Sequence, residues 1–335
     1  MKVLITGITG FVGSHLAEYI LENFPEVQIL GMVRWRTSKE NIRHIVDKVS
    51  LCYGDLLDLP SLKTILIKYK PDIIFHLAAQ SYVDFSFKSP LVTLETNIIG
   101  TGNLLEAIKE LKFSSGYDPT VHICSSSEVY GQVKENEIPI REENPFRPAS
   151  PYAVSKVAED MLGLQYWLSW KIKTIRTRLF THTGVRRGEV FVESTFAKQI
   201  ASIEAGLIPP VIKVGNLESI RTFLDVKDAV RAYWILVNKC PPGEVYNIGG
   251  NETMNVGDML NRLIELSTIK DIKVEIDPTR LRPSDVTLQI PSIDKFKKET
   301  GWMPEIPFKK TLKDLLNYWR EELSHSPWKE ITAIK

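Results

Sequence analysis

Lys2-Val-Leu-Ile-Thr-Gly7-Ile-Thr-Gly10-Phe-Val-Gly13, followed by Ser14 to Leu21, is the stretch that decides the fold. Val3-Leu-Ile5 is a continuous apolar run, so Lys2 to Gly7 reads as a short buried strand. Ser14 to Leu21 reads as a helix. Three glycines at GlyXxxXxxGlyXxxXxxGly spacing join them. Gly7 permits a tight turn, and Gly10 lets the backbone approach a pyrophosphate at the helix N-terminus. Gly13 lets the helix pack closely on the strand. A strand, a glycine turn and a helix are the setting of a dinucleotide fold.

The next elements repeat the alternation. Val27 to Val33 is a second strand. An NAD-preferring fold usually carries an acid at its end, for the ribose hydroxyls. Here Arg34-Trp-Arg36-Thr-Ser38 follows instead. Two guanidiniums with hydroxyls suit a 2′-phosphate, which points to NADP rather than NAD. Val49 to Tyr53 is a third strand. It ends at Gly54-Asp55-Leu56, where Asp55 is placed to accept from an adenine amino group. Ile73 to Leu77 is a fourth and ends at Ala78-Ala79-Gln80, small residues across which a cofactor can lie. A helix from about Pro90 to Leu111 contains Asn97. Strands alternating with helices predict an α/β fold with a doubly wound parallel sheet.

Chemistry gathers between 121 and 156. Val121 to Cys124 is a strand running into Ser125-Ser126-Ser127-Glu128. Ser150 caps a helix opened by Pro151 and running to about Trp170. Tyr152 and Lys156 are i and i+4 on one face of it. A phenol ordinarily ionises near ~10. A neighbouring ammonium favours phenolate and makes it a base usable near neutrality. Ser126 is placed to share the proton, with Ser127 and Glu128 at the same strand end.

After a strand from Lys173 to Phe180 the chain turns basic in its loops. Arg186-Arg187-Gly188-Glu189 precedes a helix around Phe196 to Ala205. Val214 to Arg221 reads as a loop able to close on a ligand. Helices at Val226–Val237 and Val256–Leu266, a strand within Gly243–Gly249 and a closing helix, Leu312–Leu323, complete the pattern. Asp277 to Asp285 is a Pro-broken loop with Arg280 and Arg282. Arginines serve a second pyrophosphate, so the substrate is expected to be nucleotide-linked. The 335 residues suit two lobes: a Rossmann domain at 1–175 with a return segment at about 221–248, and a smaller α/β substrate domain at 176–330.

Other classes are disfavoured. A net charge of +1 argues against nucleic acid as partner. No segment reaches membrane length, and the chain starts directly as a strand without a signal peptide. Three distant cysteines and six scattered histidines fit no metal spacing. A reduced, cytoplasmic, metal-free protein is expected.

The glycine triad, Ala78-Ala79-Gln80, Ser126 with Tyr152 and Lys156, and the late arginine loops together resemble the extended short-chain dehydrogenase/reductases that act on nucleotide sugars. The resemblance spans nearly the whole chain. It implies a homodimer or homotetramer. It implies cofactor contacts at Gly7, Thr9, Gly10, Phe11, Val12, Gly13, Arg34, Arg36, Asp55, Leu56, Leu77, Ala78, Ala79, Tyr152 and Lys156. It implies substrate contacts at Gln80, Thr181, Arg187, Val192, Gly215, Asn216, Arg221, Arg282 and Asp285. Leu77 to Pro90, Arg34 to Ser38 and Arg186 to Glu189 are similar to the GDP-mannose 4,6-dehydratases. Val214 to Asp228 and Gly243 to Asn247 are at least as similar to the GDP-4-keto-6-deoxymannose reductases. The dehydratases normally have Gln-Asp at Phe11-Val12, Thr at Ser126, Asn at Thr181 and Lys at Thr195.

Two chemistries follow. In a 4,6-dehydratase Tyr152 takes the 4-OH proton, Glu128 takes the C5 proton, and Ser127 or Glu128 helps the C6 hydroxyl leave. In a 4-keto reductase Tyr152 gives a proton and NADPH is consumed. A non-catalytic nucleotide-sugar binder would not need Ser126, Tyr152 and Lys156 intact.

Overall fold

The computed structural model describes residues 1–281 and 286–324. In chain order the first half comprises β1 (Lys2–Thr6), α1 (Phe11–Asn23), β2 (Gln28–Val33), β3 (Ser50–Tyr53), α2 (Leu59–Tyr69), β4 (Ile73–His76), α3 (Val83–Lys88), α4 (Pro90–Leu94), α5 (Gly100–Ser115), β5 (Thr120–Ser126), α6 (Pro151–Trp170) and β6 (Thr174–Leu179). The second half comprises β7 (His182–Thr183), α7 (Val192–Glu204), β8 (Val211–Val214), β9 (Ile220–Asp225), α8 (Val226–Lys239), β10 (Val245–Ile248), β11 (Glu252–Asn255), α9 (Val256–Glu265), β12 (Lys273–Ile276), β13 (Leu288–Gln289), α10 (Asp294–Thr300) and α11 (Phe308–Ser324).

Seven strands form one sheet in the order β10-β6-β5-β4-β1-β2-β3. Every neighbouring pair is parallel. The chain winds from β1 to β3 on one side and resumes at β4 on the other. The carboxyl ends of β1 and β4 therefore flank the topological switch point, where such sheets open a crevice. Both faces are covered. Val3 and Ile5 pack with α1 and α8, while Leu4 and Ile74 pack with α2 and α5. This is the doubly wound parallel fold expected of the alternation.

Several elements depart from the sequence reading. The helix α2 was not anticipated, although Leu59, Leu62, Ile65, Leu66 and Tyr69 keep helical spacing and pack as one face. The helix expected from Pro90 to Leu111 is interrupted by a π turn at Glu95–Ile99. Such a turn re-aims one side chain, and here it buries Asn97. The ligand-closing loop expected at Val214–Arg221 is shorter. Ile220–Asp225 is a strand, paired with β11, β13 and β7. Those partners lie far away in sequence, so no local pattern announces them.

The second lobe is built on that strand. Its sheet runs β11-β9-β13 with β7 also on β9, and β12 pairs β8. The helices α7, α9 and α11 close over it around Phe196, Met259 and Leu312. β9 pairs within this smaller sheet, and α8 and β10 follow it back to the large one. Phe296 and Trp302 also pack into the first lobe's core. Among the described residues no helix is long and apolar enough to cross a membrane.

One ion cluster ties α6 to β6. Asp160 is fully buried and accepts from Arg176 Nη1 at 2.8 Å and Arg178 Nε at 2.8 Å. Removing the carboxylate strands two buried guanidiniums. Asp160→Ala is therefore expected to cost about 3–5 kcal/mol of stability, read as a lower urea midpoint with an unchanged slope.

Candidate active site

The glycine turn is built as the spacing demands. Gly7 has φ +72°. Its carbonyl accepts from Gly10 N at 2.9 Å. A Cβ on Gly13 would lie 2.3 Å from the Gly7 carbonyl oxygen, so only glycine lets α1 start this close to β1. Gly10 is the N-cap of α1 and provides no capping side chain, and the first turn holds no acid. No cap or acid at the first turn of α1 thus competes for an anion there. Thr9 offers its carbonyl to Asn41 Nδ2 at 2.9 Å. Val12 is half-buried and packs on the core.

Thr6, a residue the sequence reading did not single out, fixes the exit of β4. Its hydroxyl accepts from Leu77 N at 3.0 Å and Ala78 N at 3.1 Å. This holds Ala78 and Ala79 beside the glycine turn, where Ala78 Cα is 2.9 Å from where a Gly7 Cβ would stand. Beyond β2 and β3, Arg34, Trp35, Arg36, Thr37, Ser38 and Asp55 line an open cleft of about 480 Å³. Arg36 sits at φ +63°. Asp55 Oδ1 accepts from Leu57 N at 3.0 Å, and Leu56 is buried beneath Gly100.

Gln80, expected at the substrate, is bonded within its own loop. Its side-chain amide donates to Thr93 Oγ1 at 2.8 Å and Tyr82 O at 3.1 Å, while its carbonyl accepts from Tyr82 N at 2.6 Å. The side chain braces its own loop. Asn97, raised by the π turn, accepts from Gln80 N at 2.8 Å and donates to Ser155 Oγ at 2.9 Å. It links the β4 exit to α6.

The cap of α6 is the expected one, with Ser150 Oγ accepting from Ala153 N at 3.0 Å. Tyr152 and Lys156 lie on its buried face. Lys156 Nζ is 5.9 Å from the Tyr152 ring centroid. It donates to Cys124 O at 2.9 Å and to Glu159 Oε2 at 2.9 Å. The Tyr152 pKa is raised, not lowered. Burial raises it, and the pull of the Lys156 charge and the Ser126 hydrogen bond does not overcome that. Sequence spacing supplies the cation but not the desolvation. Burial also opposes the Lys156 charge, yet Glu159, Tyr152 and Cys124 together raise its pKa.

Ser126 ends β5, and its hydroxyl accepts from Glu128 N at 3.2 Å. Ser127 is buried in the short turn that follows. Glu128 Oε1 accepts from Gln289 Nε2 at 3.0 Å. Gln289 Oε1 in turn accepts from Thr181 Oγ1 at 3.4 Å. Gln289 is buried on β13 and comes from the second lobe. The sequence reading missed it, because nothing local marks a lone glutamine 161 residues from its partner.

The two arginines after β7 divide their work. Arg186 Nη1 donates to Glu18 at 2.6 Å and Nη2 to His15 Nδ1 at 2.9 Å, latching the loop to α1. Arg187 points the other way. Its guanidinium lies 3.5 Å from the Phe191 ring centroid and 5.0 Å from that of Phe11. Phe11 also stacks on His182 at 5.8 Å, and burial pushes that imidazole down to about 3. Val192 opens α7 beside this group.

Across the second lobe, a Cβ on Gly215 would sit 2.8 Å from Arg280 O. Asn216 Nδ2 donates to Ser219 Oγ at 3.0 Å. Arg221 lies on β9 in register with Gln289. Arg282 and Asp285 lie outside the described residues. The site therefore gathers the ends of β1, β4 and β5, the start of α6 and the Arg187 loop.

A profile described as GDP-mannose 4,6 dehydratase matches residues 4–315. The chain belongs to that family. It is 34% identical over 343 residues to the GDP-mannose 4,6-dehydratase of Yersinia enterocolitica, covering 91% of this chain and 90% of the relative. It is 32% identical over 322 residues to the GDP-6-deoxy-D-mannose reductase of Pseudomonas aeruginosa, covering 96% and 98%. Among solved structures it is similar to RMD from Pseudomonas aeruginosa complexed with NADPH, with a TM-score of 0.82, 31% identity and coverage of 96% and 99%. It is also similar to the UDP-glucose 4-epimerase of Thermotoga maritima, with a TM-score of 0.85, 26% identity and coverage of 96% and 100%. The family thus joins dehydratases and a reductase on one scaffold.

The glycine turn gives a direct test of the site's construction. Gly13→Ala puts a methyl against backbone, which cannot rotate away as a side chain can. A loss of about 1–3 kcal/mol is expected from such overpacking, measured by urea unfolding.

Proposed function

We propose that this chain is an NADP-dependent 4,6-dehydratase of a GDP-linked hexose, taking GDP-mannose to GDP-4-keto-6-deoxymannose. The observation that carries this reading is the Glu128 carboxylate. It stands two residues past Ser126, on a turn that packs against α6, and is held by a buried amide, Gln289 Nε2, at 3.0 Å. Oxidising and re-reducing C4 needs only the dyad. Removing the C5 proton and expelling the C6 hydroxyl needs a further acid–base group.

The chain's own residues then divide the steps. Tyr152 accepts the 4-OH proton, with Ser126 sharing the hydrogen bond. The resulting C4 ketone acidifies C5–H, and Glu128 takes that proton. Glu128 or Ser127 passes a proton to the C6 hydroxyl, which leaves as water. The nicotinamide, when bound, supplies hydride transfer from C4 and its return to C6, and Glu128, reprotonated from solvent, returns a proton to C5 to complete the product. The residues fit that group. The glycine turn admits a pyrophosphate, and the Arg34–Ser38 cleft offers two guanidiniums for a 2′-phosphate. Gly7, Thr9, Gly10, Phe11, Val12 and Gly13 would hold the phosphates, and Asp55, Leu56, Leu77, Ala78 and Ala79 the adenosine side and the strand crossing.

Arg187, Thr181, Val192, Gly215, Asn216 and Arg221 are proposed to bind the GDP-sugar. Residues 1–175 and the return from Val226 to 248 would form the cofactor domain, and most of 176–330 the sugar-nucleotide domain. A homodimer or homotetramer in the cytoplasm is part of this reading. Leu91, Val92, Ile99, Val154 and Leu168 expose apolar surface on α4 to α6, and a second copy would cover it.

The reductase reading has one observation of its own, the near end-to-end match to the Pseudomonas aeruginosa reductase. Turnover of GDP-mannose in heavy water separates the two. The dehydratase places deuterium at C5 and releases water without added NADPH. Glu128→Gln should slow water loss by about 10²–10⁴. Unlabelled C5, with NADPH consumed on a 4-keto sugar, would establish the reductase. A second measurement addresses the cofactor. Calorimetry should show tighter binding of NADP than of NAD, and replacing Arg34 and Arg36 with alanine should erase the difference.

A further inference from the structure

Lys156 is not a lone cation beside Tyr152. Glu159, one turn further along α6, places Oε2 2.9 Å from Nζ. The lysine side chain is 6% exposed and the glutamate 1%. The other glutamate oxygen, Oε1, is buried without a hydrogen-bond partner. A carboxyl group is thus sealed beside Lys156, where charges act strongly on one another.

We propose that Glu159 is a positioning residue of the proton-transfer dyad, anchoring Lys156 and offsetting its charge so as to set how readily Tyr152 ionises. This rests on the Tyr152–Lys156 part of the function above, which the dehydratase and reductase readings share. The geometry gives the effect its direction. Lys156 stabilises phenolate as a cation. An ionised Glu159 on the same ammonium cancels part of that field and works against phenolate.

The surroundings leave this role to Glu159. His122 and Cys124 face the cluster from β5, His76 from β4, Tyr233 from α8 and Arg187 from the loop before α7. Burial pushes His76 and His122 down to about 3, which keeps them neutral. It raises Cys124 and Tyr233, which stay protonated. Asp160, next to Glu159, is claimed by Arg176 and Arg178. Burial lowers the Arg187 pKa, and Arg187 stands toward Phe11 and Phe191. Burial also raises the Glu159 pKa, against the pull of Lys156. Ionised, Glu159 restrains Lys156; protonated, it leaves the full ammonium charge to act on Tyr152.

Glu159→Gln keeps the length and a hydrogen-bonding group while removing the charge. Tyr152 ionisation can be followed in the holoprotein by ultraviolet difference absorbance across pH, with Tyr152→Phe in the same background as the blank. The titration midpoint is expected to fall by about one pH unit, a tenfold change in the ionisation constant. The acidic limb of the turnover profile should move the same way. Glu159→Met, apolar and of similar length, should shift the midpoint in the same direction. A midpoint that stays put or rises in either variant overturns the proposal, whatever happens to Tm. The titration needs no sugar substrate, so its outcome is independent of whether the product is a 4-keto-6-deoxy sugar.

Discussion

Burying a helix face that carries Tyr152, Ser155, Lys156, Glu159 and Asp160 removes five polar groups from water. Such burial is tolerated only where directed partners replace the lost solvent. The partners outside α6 come from three elements. Asn97 meets Ser155, the Cys124 carbonyl meets Lys156, and Arg176 and Arg178 meet Asp160. Satisfying α6 therefore fixes the π turn before α5, the register of β5 and the side chains of β6 together.

The second constraint is the contact between lobes. The first lobe supplies Ser126, Tyr152 and Lys156, but the partner of Glu128 arrives on β13 from the second. The Arg186–Glu18 pair ties the loop ahead of α7 back to α1. It leaves Arg187 turned toward Phe11 and Phe191. A guanidinium held between aromatic faces keeps its charge while shedding much of its water. That placement goes with the neighbouring arginine being bonded to α1.

Local patterns carried much of this. The glycine triad, the apolar strands and the Ser150–Pro151 helix start each follow from chemistry within a few residues. The helix α2 was legible too, since Leu59, Leu62, Ile65, Leu66 and Tyr69 repeat at helical spacing. Strand β9 was not. Its three partners come from separate stretches of chain, and without them Ile220–Asp225 resembles the loop before it. The π turn and the internal bonding of Gln80 were likewise invisible, because the first answers to Asn97's buried contacts and the second to Thr93 and Tyr82.

By itself, then, the sequence determined the doubly wound sheet, the glycine turn between β1 and α1 and the spacing of Tyr152 and Lys156, all of which depend on short-range spacing and backbone sterics. Only the tertiary structure decided how those groups behave. It sealed Tyr152 deeply enough that desolvation outweighs the nearby cation. It set Glu159 under Lys156 and Gln289 against Glu128. The physical reason is that ionisation answers to burial and to charges brought together across the fold, and neither quantity is a property of neighbours along the chain.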